Sequence, residues 1–354
     1  MYDSIKEILE SASVEASAPC RIDMGGTLDI STFYYPLRHL NPCTFNIALG
    51  MRTSARLLAF EKGRIRVVSK GFEPAEFPAD EAPFDHPLGL IFAIAAYFRA
   101  DGVQIEIESA SPPRSALGGS SVAAVALMGA FSSLFDRIGA YRPLYRREIA
   151  MLAHAIEESV AGVPCGLQDQ LAAAYGGVNL WQWYGRVKEG IFEKENVLKK
   201  NLYPELEKRL LLAYCGVPHV SANINQQWVR QFLSGQNRRL WAEIISCTRE
   251  FADALTQQDW AAAAQAMNRE TGIRREMTPD VLDDLGIKLS NAAAENKCGA
   301  RFCGAGGGGC IWALGEVGNI DTLREIWKKI LDERQEACLL DVRIDADGLL
   351  LPMI

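Results

Sequence analysis

The segment Pro112-Pro113-Arg114-Ser115-Ala116-Leu117-Gly118-Gly119-Ser120-Ser121 runs a loop of small residues into an alanine-rich apolar stretch. That order suits a phosphate group. Glycines free the backbone and leave room for a ligand, while the N–H groups and positive dipole end of a following helix attract phosphate oxygens. Serines at such a place cap the helix or reach a metal ion. No lysine follows the glycines, as a P-loop requires, and Gly-x-Gly-x-x-Gly is absent here. Taken alone, the loop is equally an ordinary tight helix entry.

Three other segments carry comparable signals. Arg21-Ile22-Asp23-Met24-Gly25-Gly26-Thr27-Leu28-Asp29 takes a short strand into a glycine pair and a polar cluster. Arg301-Phe302-Cys303-Gly304-Ala305-Gly306-Gly307-Gly308-Gly309-Cys310 leads a glycine run into an apolar strand. Four consecutive glycines lose much backbone entropy on folding, so close backbone approach is the better reason for them, and their apolar flanks do not suit a flexible linker. The fourth segment, Gly162-Val163-Pro164-Cys165-Gly166-Leu167-Gln168-Asp169-Gln170, is followed by Ala172-Ala173-Ala174-Tyr175-Gly176-Gly177.

In this order, and spread over nearly the whole chain, the four segments resemble the GHMP kinase family. The fourth is similar to its sugar-kinase branch, which includes galactokinase and heptose 7-phosphate kinase. The resemblance implies an α+β fold of two domains, an N-terminal α/β domain and a C-terminal ferredoxin-like domain, with the active site in the cleft between them. It implies ATP and Mg²⁺ as cofactors and a small-molecule sugar or sugar phosphate as partner, phosphorylated on a hydroxyl, by expectation the anomeric one. Leu117, Gly118, Gly119, Ser120 and Ser121 would hold the phosphates. Ser120 and Glu157 would hold the metal, Ser121 being the alternative by one residue of register and Glu158 a solvated helix charge. Asp169 would accept or orient the acceptor proton, against the plainer reading of a helix N-cap. Arg21 would lie beside Asp169, keeping it ionised and stabilising the transferred group. Asp29 and Gly166 would face the substrate, although Leu28 intervenes where related sugar kinases have Thr directly followed by Asp. Gly306 and Gly307 would close over the phosphates, so a side chain at Gly307 is expected to disturb ATP binding. Cations for a substrate phosphate would come from Arg38, Arg52 or Arg114. A mevalonate- or homoserine-type kinase and a ligand-sensing homologue without turnover are the alternatives.

Composition agrees. The 354 residues exceed the usual size of a single core, which predicts two domains, 1–200 and 201–354, divided in the charged stretch Lys188 to Lys208. Hydrophobic residues make up 49% and charged ones 23%, ordinary for a globular protein, and a net charge of -7 argues against nucleic-acid or membrane-surface partners. A homodimer remains allowed. Nine scattered cysteines without paired C-x-x-C spacing fit buried thiols in a reducing, cytoplasmic setting, and four histidines (His39, His86, His154, His219) form no ligand pattern.

The elements that must position these residues follow from periodicity. Strands are predicted at Thr44–Leu49, Ala55–Glu61, Arg64–Ser69, Val103–Ser109, Val178–Tyr184, Leu210–Tyr214 and Cys338–Ile344, after a loose N-terminal helix within residues 1–17. Helices are predicted at Leu88–Arg99, Ser120–Phe135, Leu144–Val160, a helix of about two turns holding Asp169, Ser221–Leu233, Arg239–Leu255, Trp260–Gly272, Val281–Asn296 and Ile320–Glu336. Trp181 and Trp183 share one strand face and are read as core rather than as a stacking platform.

Overall fold

The computed structural model describes residues 2–186, 190–218 and 221–352. Seven strands form the larger sheet: β1 (Val14–Met24), β2 (Cys43–Ala59), β3 (Arg64–Ser69), β4 (Ala75–Pro78), β5 (Val103–Ser109), β6 (Val178–Arg186) and β7 (Gly190–Asn196). Their order is β4-β3-β5-β2-β6-β7, with β1 paired to β2, and only β3 and β5 are parallel. In β5 the buried Val103, Ile105 and Ile107 alternate with more exposed Gln104, Glu106 and Glu108, as one covered face demands. Packed with this sheet, directly or through α4, are α1 (Tyr2–Ser11), α2 (Ser31–Tyr34), α3 (Gly89–Tyr97), α4 (Gly119–Arg137), α5 (Arg146–Ala161) and α6 (Gln168–Tyr175). Helix α4 is apolar and long enough to cross a membrane, but most of it is buried, packed between β1 and β2 on one side and α3, α5 and α6 on the other.

After α7 (Tyr203–Glu207) comes the second layer: β8 (Leu210–Tyr214), α8 (Ser221–Leu233), α9 (Arg238–Thr256), α10 (Trp260–Met277), α11 (Asp284–Glu295), β9 (Gly299–Phe302), β10 (Cys310–Leu314), α12 (Val317–Leu331) and β11 (Cys338–Leu340). The antiparallel order β11-β8-β10-β9, with helices between β8 and β9 and between β10 and β11, is the expected ferredoxin-like arrangement. Every residue of β8 and β10 is buried because both faces are covered. Leu210, Leu212 and Trp312 join the core shared with the large sheet, whereas Leu211, Ala213 and Ile311 face a second core. Leu28, Ile30 and Phe33 cross into that second core, so the turn after β1 is anchored by the other domain.

Several boundaries differ from expectation for physical reasons. The predicted strands at Thr44–Leu49 and Ala55–Glu61 are one strand, β2, since its first part pairs with β6 and its second with β5 while β1 runs along the whole. The segment taken as a linker holds β7 and α7, and its Glu193, Lys194 and Glu195 are exposed residues of an edge strand. Helix α10 passes through Gly272, which is exposed with open space around it, and continues to Met277. Residues 343–350 return to the large sheet: Gly50 N donates to Arg343 O at 2.7 Å, Asp345 N to Ala48 O at 2.9 Å, and Ser17 and Leu350 exchange two bonds. Arg52 fastens this return through Asp345 and Ser17.

Candidate active site

A cleft of about 940 Å³ lies where the two layers meet, lined by the Gly26–Ile30 turn, the 111–116 loop, the start of α4, the 163–166 loop, α8 and Gly304–Ala305. Strand β1 brings Arg21 to its floor and α6 brings Asp169. Arg21 Nε and Nη2 donate to the two carboxylate oxygens of Asp169, both at 2.8 Å, while Nη1 donates to Ala116 O at 2.6 Å. Burial works against the Arg21 charge, but Asp169 and then Asp23 outweigh it and raise its pKa. Asp169 is the second residue of α6, whose N-cap is Leu167, so the N-cap reading does not hold.

The loop before α4 is left-handed at Arg114 (φ +52°), Ala116 (+63°) and Gly118 (+85°). The loop leads directly into the N-terminus of α4, where free backbone N–H groups and the helix dipole favour an anion. Gly118 needs its φ and also its size, since a Cβ there would stand 3.2 Å from Asp169 Oδ2. Ser120 Oγ and Ser121 Oγ donate to the two oxygens of Glu157 at 2.6 and 2.7 Å, and Gln170 Nε2 adds a third bond at 2.7 Å. Burial raises the Glu157 pKa although these donors oppose it. Glu158, expected as a solvated charge, instead accepts from Cys165 N at 3.2 Å and fixes the 163–166 loop.

At the other end Asp29 is 4% exposed and accepts from Gln168 N at 3.0 Å, while its Oδ1 has no partner. Burial pushes its carboxyl up to about 6. A Cβ on Gly166 would collide with this carboxylate, which explains the glycine. Thr27 is left-handed (φ +82°), a conformation β-branched residues avoid, and its hydroxyl lies 3.4 Å from Asn225 Oδ1 on α8. Gln226, Val229 and Arg230 continue the α8 wall.

Arg21, Gly118, Gly119, Ser120, Ser121, Glu157, Gly166, Asp29 and Asp169 therefore converge on one cleft. Three expected residues do not line it. Leu117 is fully buried and offers its carbonyl to Arg21 N at 3.2 Å. Gly306 packs on Val281 O and Gly307 on Ile224, their positive φ values serving that docking, while Gly304 and Ala305 reach the cleft. The glycine run does brace the loop before α4: Cys310 N donates to Ser115 O at 2.9 Å, and Gly309 sits against the same carbonyl. Of the proposed cations Arg114 lines the cleft, Arg52 is engaged by Asp345, and Arg38 lies outside. Trp181 and Trp183 are core, as read. His86 accepts from Leu88 N at 3.0 Å and His154 lies 3.0 Å from Cys165 O, whereas His219 and the side chains of Ser221 and Asn223 lie outside the described residues. Sequence reasoning missed Asp23, Thr27, Gln170 and Arg230; the period-two spacing of Arg21 and Asp23 on a strand could have pointed to the first.

Residues 88–177 match the GHMP kinases N terminal domain. The D-glycero-alpha-D-manno-heptose 7-phosphate kinase of Campylobacter jejuni is 23% identical over 310 residues, covering 85% of this chain and 88% of its own. The mevalonate kinase of Thermococcus sibiricus is 26% identical over 295 residues, 75% of this chain and 81% of its own. A crystal structure of a D-glycero-D-manno-heptose 1-phosphate kinase from Bacteroides thetaiotaomicron shares the fold, with a TM-score of 0.72 at 19% identity over 96% of this chain and 99% of that one. A GHMP kinase N-terminal domain is thus matched within this chain, and over most of its length the chain is similar to named kinases, phosphotransferases with an alcohol group as acceptor.

Proposed function

We propose that this protein is a kinase of the GHMP type that transfers the γ-phosphate of ATP to the anomeric hydroxyl of a sugar or sugar phosphate. The observation that carries the reading is Asp29: a buried carboxylate on the cleft wall with one oxygen unpartnered, which a sugar hydroxyl would satisfy. The same carboxylate, ionised at neutral pH, disfavours mevalonate, which brings a carboxylate of its own.

In this reading Asp169 takes or orients the proton of the acceptor hydroxyl as its oxygen attacks the γ-phosphorus and the bond to ADP breaks. Arg21 holds Asp169 by both oxygens and offsets charge on the moving phosphoryl group. The Gly118–Ser121 amides, with Lys70 and Arg114 on the cleft wall, hold the triphosphate. No cluster of three or more His, Cys, Asp or Glu suited to a metal occurs among the described residues, but Ser120, Ser121 and Glu157 form an oxygen set. That set suits Mg²⁺, which takes few protein ligands and fills its shell with phosphate oxygens and water. When bound, the ion would neutralise charge on the phosphates. Arg230 is the cation on the α8 wall available to a phosphate already carried by the substrate. Buried thiols such as Cys20, pushed up to about 12 by burial, suit a cytoplasmic setting.

The test is an ADP-release screen over aldoses, their terminal phosphates and mevalonate. Turnover on a sugar or sugar phosphate and none on mevalonate supports the reading; the reverse overturns it.

A further inference from the structure

Behind the cleft floor lies a set of charges that touches neither the substrate space nor solvent. Asp23, Glu270, Arg274 and Arg301 are all 0% exposed. Arg301, on β9, donates to Asp23 Oδ2 at 3.1 Å and to Glu270 Oε2 at 2.9 Å. Arg274, on the part of α10 beyond Gly272, donates to Glu270 Oε1 at 2.9 Å and to Gly26 O at 2.6 Å. Its guanidinium lies 4.7 Å from the ring centres of both Trp228 and Trp241. Asp23 also accepts from Gly304 N at 2.8 Å and lies 3.5 Å from Arg21.

Charges taken this far from water rarely stabilise a fold better than apolar side chains of equal volume, whereas they do fix directions. Here the directions end on the two halves of the site. One branch runs from Glu270 through Arg301 and Asp23 to Arg21, and so to Asp169. The other runs from Glu270 through Arg274 to the Gly26 carbonyl, beside the left-handed Thr27 and three residues before Asp29. Gly26 has no room to drift, since a Cβ there would stand 2.7 Å from Asp23 Oδ2 and 2.9 Å from Gln168 Nε2.

We propose that Glu270, acting through Arg301 and Arg274, is a positioning residue that sets the Arg21–Asp169 pair and the Gly26–Asp29 turn relative to each other. One carboxylate on the ferredoxin-like domain thereby registers the proton-handling and acceptor-binding ends, both carried by the other domain. The kinetic half of this inference rests on the kinase reading; the structural half does not.

The experiment measures amide hydrogen exchange and steady-state kinetics on the full chain with Glu270→Gln, which keeps shape and removes charge. Peptides covering 22–33 should exchange about tenfold faster while those covering β8 do not change. On whichever acceptor the wild type uses, kcat/KM for the acceptor should fall about tenfold or more, with KM for ATP within about twofold. Unchanged exchange in 22–33, or an equal rise in β8, overturns the proposal. Arg274→Lys, which keeps the charge next to Glu270 but lacks the fork that also reaches Gly26, should raise acceptor KM more than it lowers kcat. If Glu270→Gln does not fold, Arg274→Lys decides by the same exchange readout. A wild type inactive on every sugar would defeat the kinase reading and leave the exchange result standing.

Discussion

Asp169→Asn removes a charge while keeping a shape. Asn presents one carbonyl oxygen to Arg21 in place of two carboxylate oxygens, so one of the two 2.8 Å bonds is lost. Bonds to charged groups contribute about 1.5–3 kcal/mol each, and Arg21 retains Ala116 O and the neighbouring Asp23. The melting point should therefore drop by only a few degrees, since no cap is lost from α6. On the chemical side, loss of general-base participation lowers kcat by about 10²–10⁴. At about 1.36 kcal/mol per decade that raises the barrier by about 2.7–5.4 kcal/mol. The assay is ADP release at saturating acceptor and ATP, beside an ATP titration and a thermal melt. A variant within about tenfold of wild-type kcat would refute the role of Asp169. An ATP affinity falling as far as kcat would show that the Arg21–Asp169 pair shapes the nucleotide loop instead.

Glu157→Gln or Ser120→Ala should lower turnover sharply and raise the Mg²⁺ concentration needed for half-activity, while Glu158→Gln, whose amide oxygen still accepts from Cys165 N, should stay near wild type. Acceptor binding should weaken as pH falls through about 6, because burial lifts the Asp29 pKa from 3.8 to about 6 and the carboxylate proposed to accept substrate hydroxyls is protonated below the raised value. The same shift means the folded state binds this proton more tightly than the unfolded one, so the stability Asp29 contributes is present below 3.8 and is lost as pH rises toward about 6; acceptor KM and melting point across this range check both signs. Gly307→Val should lower the melting point and leave ATP affinity of the folded protein intact, because the added carbon would stand 2.8 Å from Ile224 and not in the cleft.

The candidate site was legible in the sequence where its residues are contiguous. Gly118–Ser121 and the Gln168-Asp169-Gln170 triplet declare themselves because neighbouring residues do related work: Gln168 N holds Asp29, Asp169 faces Arg21 and Gln170 holds Glu157. Strands β3, β5 and β8 were readable to the residue, since β3 and β5 begin after a glycine and alternate apolar with polar residues, and β8 is an unbroken apolar run after Arg209. What could not be read depends on tertiary context. Ending the helix at Gly272 obeyed propensity and hid Arg274, whose place is set by packing against Trp228 and Trp241. The glycine run announced a close approach without saying to what, and for Gly306 and Gly307 the surface is Val281 and Ile224, not a phosphate. Strand β7 escaped because an edge strand whose second half is exposed on both faces has the composition of a charged linker.

The return of residues 343–350 to the large sheet bears on how the chain is made. Ser17 and Leu350 bond in both directions, yet the whole ferredoxin-like unit is synthesised between them. While the ribosome is still producing β8 to β11, the 48–50 and Ser17 backbone groups wait for partners and Arg52 waits for Asp345. The first domain to emerge is thus the last to be finished, and a chain stopped after β11 would leave a sheet margin open to a neighbouring nascent chain.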